Sequence, residues 1–172
     1  DAFGAGRAEW TGNPVRAEIA ALAPPAARFA GRSGPLKLTV IGGSLGAQAL
    51  NSAVPQALAL LPAPERPLVT HQSGVKHLAE VEACYRQLGV EATLVPFIAD
   101  MVDDHQTANA RFLSSRGAAL LIPQHELTPQ KLAELLRTLT RDALLAMAEK
   151  ARAVAKPEAT QTVAEACMRL AA

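Results

Sequence analysis

One feature constrains the fold more than any other. The apolar, β-rich run Leu36-Lys37-Leu38-Thr39-Val40-Ile41 passes straight into Gly42-Gly43-Ser44-Leu45-Gly46, a strand that ends in a glycine turn. Beyond the turn Leu50, Val54, Leu58 and Leu61 recur at three- and four-residue spacing until Pro62 and Pro64, which predicts a helix. The unit then repeats. Pro67 to His71 reads as a strand, Gly74 to Leu88 as a helix with Val75, Leu78, Val81 and Tyr85 on one face and Gly89 as its stop, and Ala92 to Phe97 as a third strand. Strands alternating with helices call for parallel strands joined by right-handed crossovers, so the predicted class is α/β.

The rhythm changes after Met101. Asp103 to Ser115 reads as helix, Ala118 to Ile122 as a fourth short strand ending at Pro123, and the remainder as helices. Thr128-Pro129-Gln130 has the cap and first-turn proline of a helix start. Two more helices are expected over Arg141 to Ala155 and Ala159 to Leu170, separated by Pro157. The expected organisation is a connection over residues 1–16, an α/β domain over 17–155 and a C-terminal helix over 156–172.

Composition closes off several functions. Seventeen Lys and Arg against sixteen Asp and Glu leave a net charge of +1 in 172 residues, too little for a sequence-independent grip on nucleic acid. No apolar run approaches bilayer length, and no secretory signal opens the chain, so a soluble chain is expected. Asp1 to Trp10 has no initiator methionine, and an upstream portion is inferred. Cys84 and Cys167 fall in helical patterns without metal-ligand spacing, so buried free thiols in a reducing cytoplasm are expected and no metal.

The glycine turn is the best local candidate for a site. Glycine lets backbone approach a ligand closely, and the helix that follows points unpaired N–H groups and a positive dipole end at whatever lies above the strand. A phosphate suits that place, although the same residues also serve as an ordinary β–α turn. The spacing is neither G-x-G-x-x-G nor a Walker loop, which disfavours NAD and ATP. Arg16, in Asn13-Pro14-Val15-Arg16, could add bidentate contacts to an anion; an exposed arginine is the alternative. Asp103-Asp104-His105-Gln106-Thr107-Ala108-Asn109 could hold a polyhydroxyl ligand such as a sugar, or could be a well-capped helix start with a solvated face. His71-Gln72-Ser73-Gly74 reads as a turn with a satisfied histidine. No catalytic triad or nucleophile elbow is present in the sequence.

Five blocks in order, Thr11-Gly12-Asn13-Pro14-Val15-Arg16, Val40 to Ala47, His71 to Gly74, Pro96-Phe97-Ile98-Ala99-Asp100-Met101, and Asp103 to Ala110, resemble the MurG family. That resemblance implies the GT-B fold, two Rossmann-like domains facing across a cleft, with this chain as the C-terminal, donor-binding one. It implies transfer of N-acetylglucosamine from UDP-N-acetylglucosamine to an undecaprenyl-diphosphate-linked muramoyl-pentapeptide, with inversion and no metal or cofactor. A non-catalytic UDP-sugar-binding module is the alternative.

Carried over by position, Gly42, Gly43, Ser44 and Gly46 resemble the diphosphate loop, and Arg16 a donor-contacting arginine. Ile98 resembles the residue whose backbone meets the uracil, and Gln106 a donor-sugar contact, with Phe97, Met101, His105 and Asn109 as neighbours. The resemblance places the enzyme at the cytoplasmic face of the bacterial inner membrane, held there by an N-terminal domain absent from this chain. The acceptor site and general base belong to that domain. The family also carries, between the counterparts of Met101 and Val102, more than one strand–helix–strand unit with a Thr and a Glu that hold the donor. Its loss should strip neighbours from the first and fourth strands and expose apolar faces.

Overall fold

The computed structural model describes residues 11–13, 15–42, 46–97 and 106–171. After two short helices, α1 (Ala17–Ala20) and α2 (Pro25–Phe29), the expected alternation appears. It runs β1 (Lys37–Val40), α3 (Gly46–Ala59), β2 (Leu68–Gln72), α4 (Leu78–Gln87) and β3 (Thr93–Val95). Four helices follow: α5 (Gln106–Ser114), α6 (Pro129–Thr138), α7 (Arg141–Ala153) and α8 (Ala159–Ala171). The strands form one parallel sheet in the order β1-β2-β3, with Val40 opposite His71 and Gln72 opposite Val95. This is the α/β class with parallel strands that the alternation predicted, and the Rossmann-like arrangement that the resemblance implied.

Side-chain alternation explains where the core lies. Val40, Val69 and His71 point to one face and are buried there. Against them pack Val54, Ala57, Leu58 and Leu61 of α3 and its last turn, Val81 and Tyr85 of α4, and Ala133 of α6. Leu58 is fully buried, and a side chain of that size contributes about 1.5–3 kcal/mol when removed from water. Pro55 sits inside α3, where it removes the N–H that would bond the carbonyl of Asn51. Two arginines staple the ends of elements: Arg66 donates to the carbonyls of Leu61 (3.1 Å) and Gly89 (2.8 Å), and Arg137 to that of Leu60 (2.7 Å).

The stop at Gly89 and the cap at Thr128 work as read, and the structure adds a second of each. Gly89 has φ +62°, and the bonds Gly89 N–H to Arg86 and Val90 N–H to Tyr85 close a Schellman stop after α4. Gly117 repeats it after α5, with bonds from Gly117 to Ser114 and from Ala118 to Leu113. Thr128 accepts from the Lys131 N–H at 3.2 Å and Thr140 from that of Ala143 at 3.1 Å, capping α6 and α7.

Three expectations need correction. Residues 118–122 form no strand, because a strand exists only when paired and β1 is paired on one side alone among the described residues. Leu120 and Leu121 are left exposed. Val75 lies in a 3-10 turn before α4 and is 77% exposed, off the buried face that Val81 and Tyr85 share. Neither cysteine is buried: Cys84 is half-buried and Cys167 exposed, since α8 packs loosely and its outer face meets solvent.

Candidate functional site

In a parallel sheet, loops at the carboxyl ends of the strands gather on one side, and the helix that follows each strand starts there. β1 ends at Val40 and α3 begins at Gly46, so the helix N-terminus of the sequence reading stands at the mouth of β1. Gly43, Ser44, Ile98, Met101 and His105 lie outside the described residues. Gly46 and Gln106 are the first residues of α3 and α5, and Asn109 lies one turn into α5. Phe97 is exposed just beyond β3. Arg16 stands at the N-cap of α1, exposed and making no side-chain cap bond.

What the sequence reading missed is the polar scaffold behind the turn. Gln72 Nε2 donates to the Gly42 carbonyl at 3.3 Å, fastening the start of the turn to the end of β2. Asn51 of α3 donates through Nδ2 to the Ser73 carbonyl at 3.0 Å, and Ser73 N–H bonds the Val95 carbonyl at 3.2 Å. The ends of all three strands and the first turns of α3 are thereby tied together by buried groups, Asn51, Gln72 and Ser73. Four consecutive residues around a strand end, three of them polar, were the available signal.

His71 is fully buried, and its Nδ1 lies 2.9 Å from the Tyr85 hydroxyl. It is half-satisfied rather than satisfied, because buried Nε2 has no partner among the described residues. Burial pushes the imidazole down to about 4, so the ring is neutral near pH 7. Burial, with Cys84 adjacent, holds the Tyr85 hydroxyl above its ordinary range. Both side chains belong to the buried core, although Tyr85 also borders a shallow depression beside Leu78, Glu82 and Leu94, and the pair is read as structural.

Two depressions differ in meaning. One of about 620 Å³ is lined by Gly12, Asn13, Val15, Ile19, Phe112 and Leu113 together with the end of α7, and includes neither Arg16 nor Gln106. The larger, about 950 Å³, is lined by all three strands, at Lys37, Thr39, Leu68, Thr70 and Thr93 among others, and includes none of the anticipated residues. Among the described residues no group of His, Cys, Asp and Glu could hold a metal, and no helix is long and apolar enough to cross a membrane.

Comparisons with known proteins agree on one family. The model of the glycosyltransferase family 28 C-terminal domain matches residues 37–104 and 87–165. A UDP-N-acetylglucosamine–N-acetylmuramyl-(pentapeptide) pyrophosphoryl-undecaprenol N-acetylglucosamine transferase of Aromatoleum aromaticum is 50% identical over 203 residues, covering 96% of this chain and 57% of the relative. Its namesake in Ralstonia nicotianae is 48% identical, covering 95% and 56%. The crystal structure of Acinetobacter baumannii MurG superposes with a TM-score of 0.75 at 32% identity, over 88% of this chain and 55% of that one. The chain thus spans little more than half the length of the relatives it matches. With three parallel strands, a helix that begins at Gly46 soon after β1 ends at Val40, and a family model matching most of its length, the chain belongs to the glycosyltransferase family 28 C-terminal domain.

Proposed function

We propose that this chain is the donor-binding half of an inverting glycosyltransferase, which moves N-acetylglucosamine from UDP-N-acetylglucosamine to an undecaprenyl-diphosphate-linked muramoyl-pentapeptide in peptidoglycan synthesis. The observation that carries the reading is the helix α3 starting at the mouth of β1, its entry turn fastened at Gly42 by Gln72. Amide groups there suit a diphosphate. In this reading Gly42, Gly43, Ser44 and Gly46 grip the pyrophosphate and Arg16 adds a guanidinium. Ile98 meets the uracil through its backbone, Gln106 holds the sugar, and Phe97, Met101, His105 and Asn109 line the neighbourhood.

Such donors stabilise the charge that grows on UDP as the sugar departs, which is where electrostatic complementarity lowers a barrier. The acceptor hydroxyl, its general base and the contact with the cytoplasmic face of the inner membrane belong to the remaining length that the relatives carry. By itself the chain binds UDP weakly and turns nothing over. The domain division follows: connection 1–16, donor domain 17–155, C-terminal helix 156–172.

Titration calorimetry with UDP tests this. Heat that saturates with one UDP per chain and weakens in Ser44→Trp and Arg16→Ala supports the reading. No heat at millimolar UDP, or affinity unmoved by both changes, removes it. A UDP-sugar-binding module without catalysis gives the same titration, and is separated from the enzyme reading by assaying transfer in a full-length protein carrying this half.

A further inference from the structure

Two buried polar atoms have no hydrogen-bond partner among the described residues, His71 Nε2 and Asn51 Oδ1. A core rarely leaves such groups unpaired, because each has given up its bonds to water. Both face the same layer. His71 lies with Val69 on the helix-covered side of β2, and Ser73 follows two residues on, on the same side of the chain. Asn51 shares the buried stripe of α3 with Val54 and Leu58, and its Nδ2 reaches the Ser73 carbonyl at 3.0 Å. Residues two apart along a strand stand about 6.6 Å from one another. That spacing is too long for a direct bond and suits one bridging water, whose two bonds of about 2.8 Å span roughly 5.6 Å.

The donors and acceptors match. The Tyr85 hydroxyl has a proton to place, and Nδ1, 2.9 Å away, is its acceptor. The ring is neutral near pH 7, so a ring that accepts at Nδ1 carries its single proton on Nε2. Nε2 is then a donor and Asn51 Oδ1 an acceptor. Ser73 Oγ, fully buried and holding a long bond of 3.4 Å to the Gly74 carbonyl, has lone pairs to spare as a third partner. A buried water takes two to four such partners.

We propose that His71 Nε2 and Asn51 Oδ1 share one internal water, through which His71 acts as a positioning residue for the strand ends beneath the glycine turn. The bridge completes a polar chain from Tyr85 of α4 through His71 of β2 and Asn51 of α3 to the Ser73 carbonyl, beside the Gln72 bond that holds Gly42. Both crossover helices are thereby tied to one end of the sheet. The consequence for UDP rests on the donor reading; the bridge does not.

Imidazole nitrogen shifts and water-to-protein Overhauser transfer, read by NMR in the unaltered chain, test the bridge. The proton is expected on Nε2, in contact with a long-resident water. A proton on Nδ1, or an Nε2 proton without that contact, overturns the proposal. Urea unfolding of His71→Phe, Asn51→Leu and the double variant gives a second measure. Groups joined through one water lose it together, so the double variant should unfold at least about threefold less readily than the product of the single effects. Effects that simply multiply overturn the bridge. UDP affinity then reads the positioning. His71→Phe should weaken it about threefold or more, and His71→Gln, whose Nε2 again offers a donor, should hold it within about twofold of the unaltered chain. Equal affinity in all three, or a loss that His71→Gln leaves uncorrected, overturns the positioning role. A chain that takes up no UDP removes the donor reading instead, and the ring proton and the double variant still decide the bridge.

Discussion

The two faces of the three-stranded sheet share a backbone and differ in everything else. On one, Val40, Val69 and His71 are buried beneath α3 and α4; on the other, Lys37, Thr39 and Leu68 lie open. The strands themselves do not distinguish them, because β-branched residues stand on both sides, Val40 and Val69 on one, Thr39 and Thr70 on the other. What differs is the partner. A sheet face becomes core only when the chain supplies a layer against it, and here the layer comes from crossovers on one side.

That contrast can be broken by mutation. The largest effect is expected at Leu58, where truncation to alanine beneath the covered face should cost about 3–4 kcal/mol in urea unfolding. A cost below about 1 kcal/mol would show that this face is no tighter than the other. Next comes acid. The His71 imidazole gains its proton near pH 6.5 when the chain is unfolded, but only at about 4 when folded. The unfolded state therefore binds more protons between those values, and stability should fall by up to about 3 kcal/mol as pH drops through that window. His71→Leu should flatten that slope; an unchanged slope would assign it to carboxylates.

A smaller loss sharpens the comparison at the strand ends. Asn51→Ala leaves the Ser73 carbonyl without the donor it now has at 3.0 Å, and should cost about 1–2 kcal/mol in thermal or urea unfolding. The same change should weaken UDP binding if the turn is a diphosphate site, since the buried ties around Gly42 would loosen together. Smallest of all, Leu68→Ala, at a side chain 58% exposed, should stay within about 0.5 kcal/mol in urea unfolding. A large loss at Leu68 in the chain as it stands would mean that something already covers that face.

The sequence alone carried the class and the order of the elements as far as β3. Period-two and period-3.6 patterns are properties of a segment's own residues, and the stop at Gly89 and the cap at Thr128 act within a few residues of themselves. The same locality explains the errors. Residues 118–122 have strand chemistry and Val75 helix spacing, but the first needs a partner strand and the second a surface to face, and neither need is written in the segment.

The candidate site divides in the same way. Gly42-Gly43-Ser44-Leu45-Gly46 was legible as a bend that could receive an anion, because glycine's freedom and a helix start are local facts. That Gln72 holds Gly42, and that Asn51 bridges to Ser73, was settled only when the crossovers brought residues 22 and 30 positions apart to one end of the sheet. Local residues choose the elements; burial on one face, exposure on the other and the bracing of the turn depend on which layers meet, and that is a property of the assembled chain.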